Sequence, residues 1–170
     1  MKIVYSHLLN LLGQQPKLEE LSELLFQLGH EHEIDGEVLD MEITPNRGDC
    51  LSLKGLARDL NYFYQAKELP KSDMALPALD LQFDNQAQEL CPNISFMEIE
   101  ILQVPTKYEP YLEAYFTDLG INKNNFFTDI SNYLAYESGQ PTHCFDQSTM
   151  QGHLDRKSTR LNSSHQIISY

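Results

Sequence analysis

Between residues 17 and 64 the spacing of apolar side chains changes period twice, and neither an all-helical nor an all-strand chain satisfies both periods. The stretch K-L-E-E-L-S-E-L-L-F-Q-L, residues 17–28, puts Leu18, Leu21, Leu25 and Leu28 on one helical face, follows Pro16 and stops at Gly29. Residues 38–43 alternate instead, with Leu39, Met41 and Ile43 opposing Asp40 and Glu42, as in a strand with one wet face. After T-P-N-R-G-D breaks that pattern, Ser52 can cap a second helix, in which Leu53, Leu56, Ala57, Leu60, Phe63 and Tyr64 resume the 3.6-residue period. Helix and strand interleaved at this spacing predict an α+β fold.

The pattern weakens over residues 66–90, where Pro70 and Pro77 stand among scattered acids, and a boundary is expected near residue 75. Beyond it, Met97, Ile99 and Ile101 alternate with Glu98 and Glu100 as a strand. Tyr111, Leu112, Tyr115, Phe116 and Leu119 form a helical stripe ended by Gly120. Phe126, Ile130, Tyr133 and Leu134 predict a further helix over 126–137, closed by Gly139-Gln140-Pro141. The second unit is therefore also mixed α and β.

Of 170 residues, 41% are hydrophobic, enough for a core and too many for a wholly disordered chain. Lys and Arg number 12 against 25 Asp and Glu, which excludes a general basic face for nucleic acid and leaves only local contacts. The charge is uneven: Arg156, Lys157 and Arg160 stand in an acid-free tail, so the first 155 residues hold nine bases and a net charge of −16. Cys50, Cys91 and Cys144 are far apart with no C-x-x-C, which suggests neither a disulfide framework nor a thiolate zinc site. The odd count suits a reducing compartment, so a cytoplasmic chain is expected. Neither a signal peptide nor a membrane span is read from the sequence.

Four polar constellations stand out. His30 and His32, two apart beside Glu31 and Glu33, would share one face of a strand and hold a metal only with ligands from elsewhere; solvated residues just past a helix are the expectation, and no metal ligand is assigned. His7 lies in an apolar run and is expected to be half-buried, bonded to backbone or water. In T-P-N-R-G-D-C-L-S, residues 44–52, Arg47 can pair locally with Asp49 or reach a phosphate or a partner carboxylate through its planar fork. In residues 125–146, Asn132 sits on a helix and the Gly-Gln-Pro-Thr turn could return His143 toward it, so that amide, hydroxyl and imidazole converge. The alternative is a helix cap and a satisfied histidine. Cys144 beside His143 lacks an orienting third group and is not read as a nucleophile.

Two of these stretches carry a family resemblance. D-M-E-I-T-P-N-R-G-D-C-L-S-L-K-G-L-A-R-D-L, residues 40–60, resembles the β subunit of bacterial phenylalanyl-tRNA synthetase. N-N-F-F-T-D-I-S-N-Y-L-A-Y-E-S-G-Q-P-T-H-C-F-D, residues 124–146, resembles the signature of that subunit's editing domain. Y-S-H-L-L-N-L-L and Q-L-G-H-E-H-E are similar to its N-terminal domain, so the resemblance covers about residues 1–155. It implies a B1-like domain over 1–75, a partial B3/B4-like editing domain over 76–155, and a non-native tail over 156–170. It further implies a heterotetramer of two α and two β subunits, with the α subunit and tRNA(Phe) as partners and ATP and Mg2+ as requirements of the full enzyme, none bound by this fragment. In the family, the editing domain hydrolyses tyrosine mischarged onto tRNA(Phe). By resemblance, Asn132 and His143 match editing-pocket residues, Gln140 and Thr142 lie in the same substrate-binding turn, and Arg47 is a possible tRNA or partner contact.

The sequence also departs from the family. The glutamate and small residues that complete the editing pocket lie downstream of where this chain stops, so no complete catalytic site is expected and the isolated fragment is expected to be inactive. Cys144 stands where the family usually has alanine, and F-F-T replaces an aliphatic V-V. Where many relatives carry an OB-fold tRNA-binding insertion, this chain runs straight through I-D-G-E-V. Two alternatives accompany the leading reading: a free-standing trans-editing hydrolase, and a non-catalytic RNA-binding or subunit-assembly module.

Overall fold

A computed structural model describes residues 1–64, 79–149 and 153–156. The chain divides into two compact units, 1–70 with 105–143, and 71–104 with 144–170. The boundary expected near residue 75 lies outside the described residues, as does the tail from 157 onward. Residues 105–143, expected in the second unit, group with the N-terminal elements, because their buried side chains Leu112, Tyr115, Phe116 and Tyr136 join the same apolar cluster as Ile3, Leu39 and Leu56.

The first unit begins with β1 (Lys2–Val4), α1 (Tyr5–Leu9), α2 (Leu18–Gln27), β2 (Glu31–Asp35) and β3 (Val38–Glu42). The three strands form an antiparallel sheet in the order β1-β3-β2, with Ile3 opposite Leu39 and Ile34 opposite Leu39 on the other side. I-D-G-E-V forms the hairpin between β2 and β3; Asp35 faces Val38 across a two-residue turn, and Gly36 adopts φ 61° there. In β3, Leu39 and Met41 are buried while Asp40 and Glu42 face water, as the alternation predicts. Helix α2 buries Leu21 and Leu25 and ends before Gly29 at φ 85°.

A 3-10 segment (Pro45–Cys50) leads into α3 (Leu53–Tyr64). Ser52 caps α3, its Oγ accepting the Gly55 amide at 3.0 Å. The segment and the helix approach so closely that a Cβ on Gly55 would overlap the Asp49 carbonyl and lie 2.9 Å from Cys50 Cα. Helices α4 (Pro110–Leu119) and α5 (Phe126–Ser138) complete the unit, α4 against β1 and α5 against α3. Both end on left-handed glycines, Gly120 and Gly139. In α5 the buried face is shifted from the expected stripe: Asp129 and Tyr136 are buried, whereas Ile130, Tyr133 and Leu134 are only partly covered. Asp129 tolerates burial because Tyr108 Oη donates to it at 2.7 Å and the Asn124 amide at 3.0 Å.

In the second unit β4 (Gln82–Asn85) pairs in parallel with β5 (His153–Arg156). The strand expected at 97–101 is absent. Met97 and Ile99 are 67% and 65% exposed, and among the described residues no strand pairs with the segment, so its alternating pattern has no sheet to join.

Candidate functional site

The two motif-bearing segments meet inside the first unit. Gly139, at the C-terminus of α5, packs on the entry to α3 so tightly that a Cβ there would sit 3.3 Å from both Cβ and Oγ of Ser52 and 3.6 Å from the Leu51 carbonyl. Two residues earlier Glu137 pairs with Lys54 at 2.9 Å. Tyr136 anchors the same helix on the first strand: the buried Val4 amide donates to its Oη at 3.2 Å, and His7 Nδ1 lies 3.1 Å from that oxygen. His7 Nε2 in turn lies 3.1 Å from Asp118 Oδ2 on α4. A neutral His7 satisfies the whole chain, with Tyr136 Oη donating to Nδ1 and Nε2–H donating to Asp118. His7 is therefore bonded to side chains rather than to backbone or water. Burial pushes the Tyr136 phenol above its ordinary value, so the hydroxyl keeps its proton as a structural donor.

From Gly139 the chain turns outward. Gln140 and His143 are exposed, Asn132 projects from the exposed side of α5, and no hydrogen bond joins Asn132 to His143. Thr142 is half-buried, and its Oγ1 is covered with no hydrogen-bond partner among the described residues. The turn is thus held at its root, with Gln140 and His143 facing out and the Thr142 hydroxyl covered. Cys144 is exposed and belongs to the second unit.

At the other end of the 44–52 motif lies a second polar cluster. Arg47 Nε and Nη2 grip Asp49 at 3.1 and 3.2 Å, the local pair expected from the sequence. The same Nη2 donates to Asp59 on α3 and to Cys50 Sγ at 2.7 Å. Arg58 closes the ring through Asp49 and Asp59. His30 Nε2 reaches Asp59 Oδ2 at 3.1 Å from the opposite side. Burial works to raise the Asp59 carboxyl, but hydrogen bonds from Arg47, His30 and Cys50 outweigh it and hold the group below the usual carboxylate range. Hydrogen bonding to Arg47 likewise holds Asp49 low. The Cys50 thiol is pushed up to about 11, chiefly by burial and next by the Asp59 charge, so it is neutral at pH 7.

His30 and His32 are not solvated. They are 2% and 8% exposed. His32 Nδ1–H donates to the His30 carbonyl at 3.0 Å and Nε2 accepts from Ser22 Oγ at 2.8 Å, with the ring stacked 4.4 Å from Phe26. The pair does not share a ligand set; His30 instead joins Cys50 and Asp59, whose ligand atoms with its own all lie within 4.8 Å. Sequence spacing gives no sign of this trio, since it comes from a strand entry, a 3-10 segment and a helix.

No family model matches the chain. Individual relatives do. Over 130 residues, 71% of the chain, it is 31% identical to the phenylalanine–tRNA ligase beta subunit of Psychrobacter arcticus, and it covers 16% of that protein. It is 33% identical over 133 residues to the beta subunit of Thermotoga maritima, covering 76% of this chain and 17% of that one. The corresponding subunit of Rickettsia bellii is 32% identical over 127 residues. The chain thus spans about a sixth of the length of the relatives it matches.

Proposed function

This chain belongs to the phenylalanine–tRNA ligase beta subunit family, and from that premise we propose that it forms the part of the ligase that seats an editing turn on the subunit's N-terminal domain. The carrying observation is the direct packing of the two motifs, Gly139 on Leu51 and Ser52. In this reading the α3 entry fixes the root of residues 139–143, and His143, Thr142, Gln140 and Asn132 contribute polar groups to a pocket for the tyrosyl ester of mischarged tRNA(Phe). A site that hydrogen-bonds the tyrosine hydroxyl separates tyrosine from phenylalanine far better than an apolar pocket can. His143 positions the water or the ester as donor or acceptor. The rest of the pocket, the α subunit and the main tRNA contacts belong to the remainder of a cytoplasmic ligase. By the same resemblance, ATP and Mg2+ are requirements of the full ligase.

The test is a graft. Residues 1–155 replace the matching segment of the Psychrobacter beta subunit, co-expressed with its α subunit. The expected result is phenylalanine charging at the parental rate, with Tyr-tRNA(Phe) hydrolysis retained and then reduced at least tenfold by His143→Ala. Retained hydrolysis in that variant would remove His143 from the site. The isolated chain is expected not to deacylate Tyr-tRNA(Phe); turnover by it would favour the trans-editing alternative.

A further inference from the structure

Three side chains of different ligand chemistry converge beneath the surface where Arg47 enters: His30 Nε2, Cys50 Sγ and Asp59 Oδ2. The imidazole and carboxylate atoms are 3.1 Å apart, the sulfur and carboxylate 3.5 Å, and all three lie within 4.8 Å of one another. A tetrahedral zinc ion with bonds of about 2.0–2.1 Å to nitrogen and oxygen and about 2.3 Å to sulfur separates its ligand atoms by about 3.3–3.5 Å. We propose that His30, Cys50 and Asp59 form a binding site for a thiophilic divalent cation of the zinc class, for which the Arg47 guanidinium is the competing occupant.

The positions are already arranged around a cation. Arg47 Nη2 donates to both Cys50 Sγ and Asp59, which is where a metal would draw its ligands. Arg47 is also held by Asp49 through Nε, a bond independent of the trio, and its side chain is 31% exposed, so it can withdraw toward solvent while keeping that partner. The exchange balances: the guanidinium leaves, Cys50 gives its thiol proton to the buffer, the His30 proton passes by way of solvent from Nε2 to Nδ1, and a divalent ion gains thiolate, carboxylate and neutral imidazole with no net charge left behind. The path Arg47 vacates leaves a fourth position open to water. His30 and Cys50 are 2% and 0% exposed, so the ligands are held without side-chain freedom to lose. Mg2+ and Ca2+ do not fit, since they require six or more oxygen-type ligands.

The probe is Co2+, added to the full 170-residue chain carrying Cys91→Ala and Cys144→Ala, which leaves Cys50 as the sole thiol. A near-ultraviolet thiolate-to-cobalt charge-transfer band saturating at one equivalent is expected. Cys50→Ala should abolish it, Asp59→Asn should weaken binding at least tenfold, and affinity should rise with pH as one thiol proton is released per ion. Arg47→Ala distinguishes competition from mere proximity, because removing the competitor should tighten binding at least tenfold. No band, a band unaffected by Cys50→Ala, or weaker binding in Arg47→Ala would overturn the proposal. Should any variant lose its circular dichroism, the thiol carries the test in the otherwise unaltered double-alanine chain: Zn2+ should slow Cys50 alkylation at least tenfold, and an unchanged rate overturns it.

Discussion

Tyr136→Phe isolates the hydroxyl that ties α5 to the first strand. The ring stays, with its packing against Tyr115 and the edge contact with His7, so the change removes one oxygen from a site where Val4 is 1% and Tyr136 9% exposed. That oxygen is the partner of the Val4 amide, which Phe leaves buried and unpaired, at a cost of about 1–3 kcal/mol. His7 Nδ1 loses its partner as well but is half-buried, so water can replace part of that bond. The expected loss is about 2 kcal/mol, which lowers the melting temperature by roughly 4–8 °C for a chain of this size. Urea unfolding followed by far-ultraviolet circular dichroism measures it, and a cycle with His7→Ala separates the imidazole contribution from the amide's. A loss below about 0.5 kcal/mol would refute the reasoning, since it would mean that Val4's amide has another partner and that α5 is not seated on β1 through this oxygen.

Ser52→Ala removes the cap of α3 and should cost about 1 kcal/mol by the same urea titration. Gly55→Ala drives a methyl group into the Asp49 carbonyl and Cys50 Cα and should cost about 3 kcal/mol or prevent soluble expression. Gly139→Ala adds the strain of a left-handed residue to a 3.3 Å approach to Ser52 and should cost about 1–2 kcal/mol; in the graft it should also slow Tyr-tRNA(Phe) hydrolysis more than phenylalanine charging. Alkaline stability carries a sign. The Cys50 thiol rises from 9.0 to about 11 in the folded chain, so its contribution is intact below pH 9 and is lost as pH climbs from 9 to 11, by at most about 2.7 kcal/mol. Tyr136, raised above 10.0, steepens the loss beyond pH 10. Cys50→Ala should flatten the slope between pH 9 and 11, leaving the tyrosine component beyond pH 10.

Local periodicity carried the elements that end on their own signals. Helices α2, α4 and α5 each stop at a glycine with positive φ, and Ser52 opens α3, so both their existence and their limits can be read from neighbouring residues. The 97–101 segment shows the opposite case, where a clean alternation has no partner strand among the described residues. Burial of polar groups was the least legible property. His30, His32 and Asp129 look like surface residues in sequence because their partners, Asp59, Ser22 and Tyr108, lie 29, 10 and 21 positions away. The local Arg47–Asp49 pair could be read because two residues suffice to form it, whereas Arg47's bond to Asp59 needs the 3-10 segment to fold back on α3.

The stretch from Arg47 to Ser52 serves two sites of different chemistry. Arg47, Asp49 and Cys50 belong to the ion-pair cluster with His30 and Asp59, and Leu51 and Ser52 form the surface on which Gly139 rests. Nothing between the two is free to adjust: Cys50 is buried, and Gly55 holds its Cα and the Asp49 carbonyl at a distance no larger residue permits. Gln140 and His143 beyond Gly139 face outward, so the direction in which the turn leaves α5 is set at its root rather than by their contacts. The glycine at 139 and the glycine at 55 therefore act as a pair. Gly55 lets the motif close onto its own helix, and Gly139 lets the turn after α5 close onto the motif.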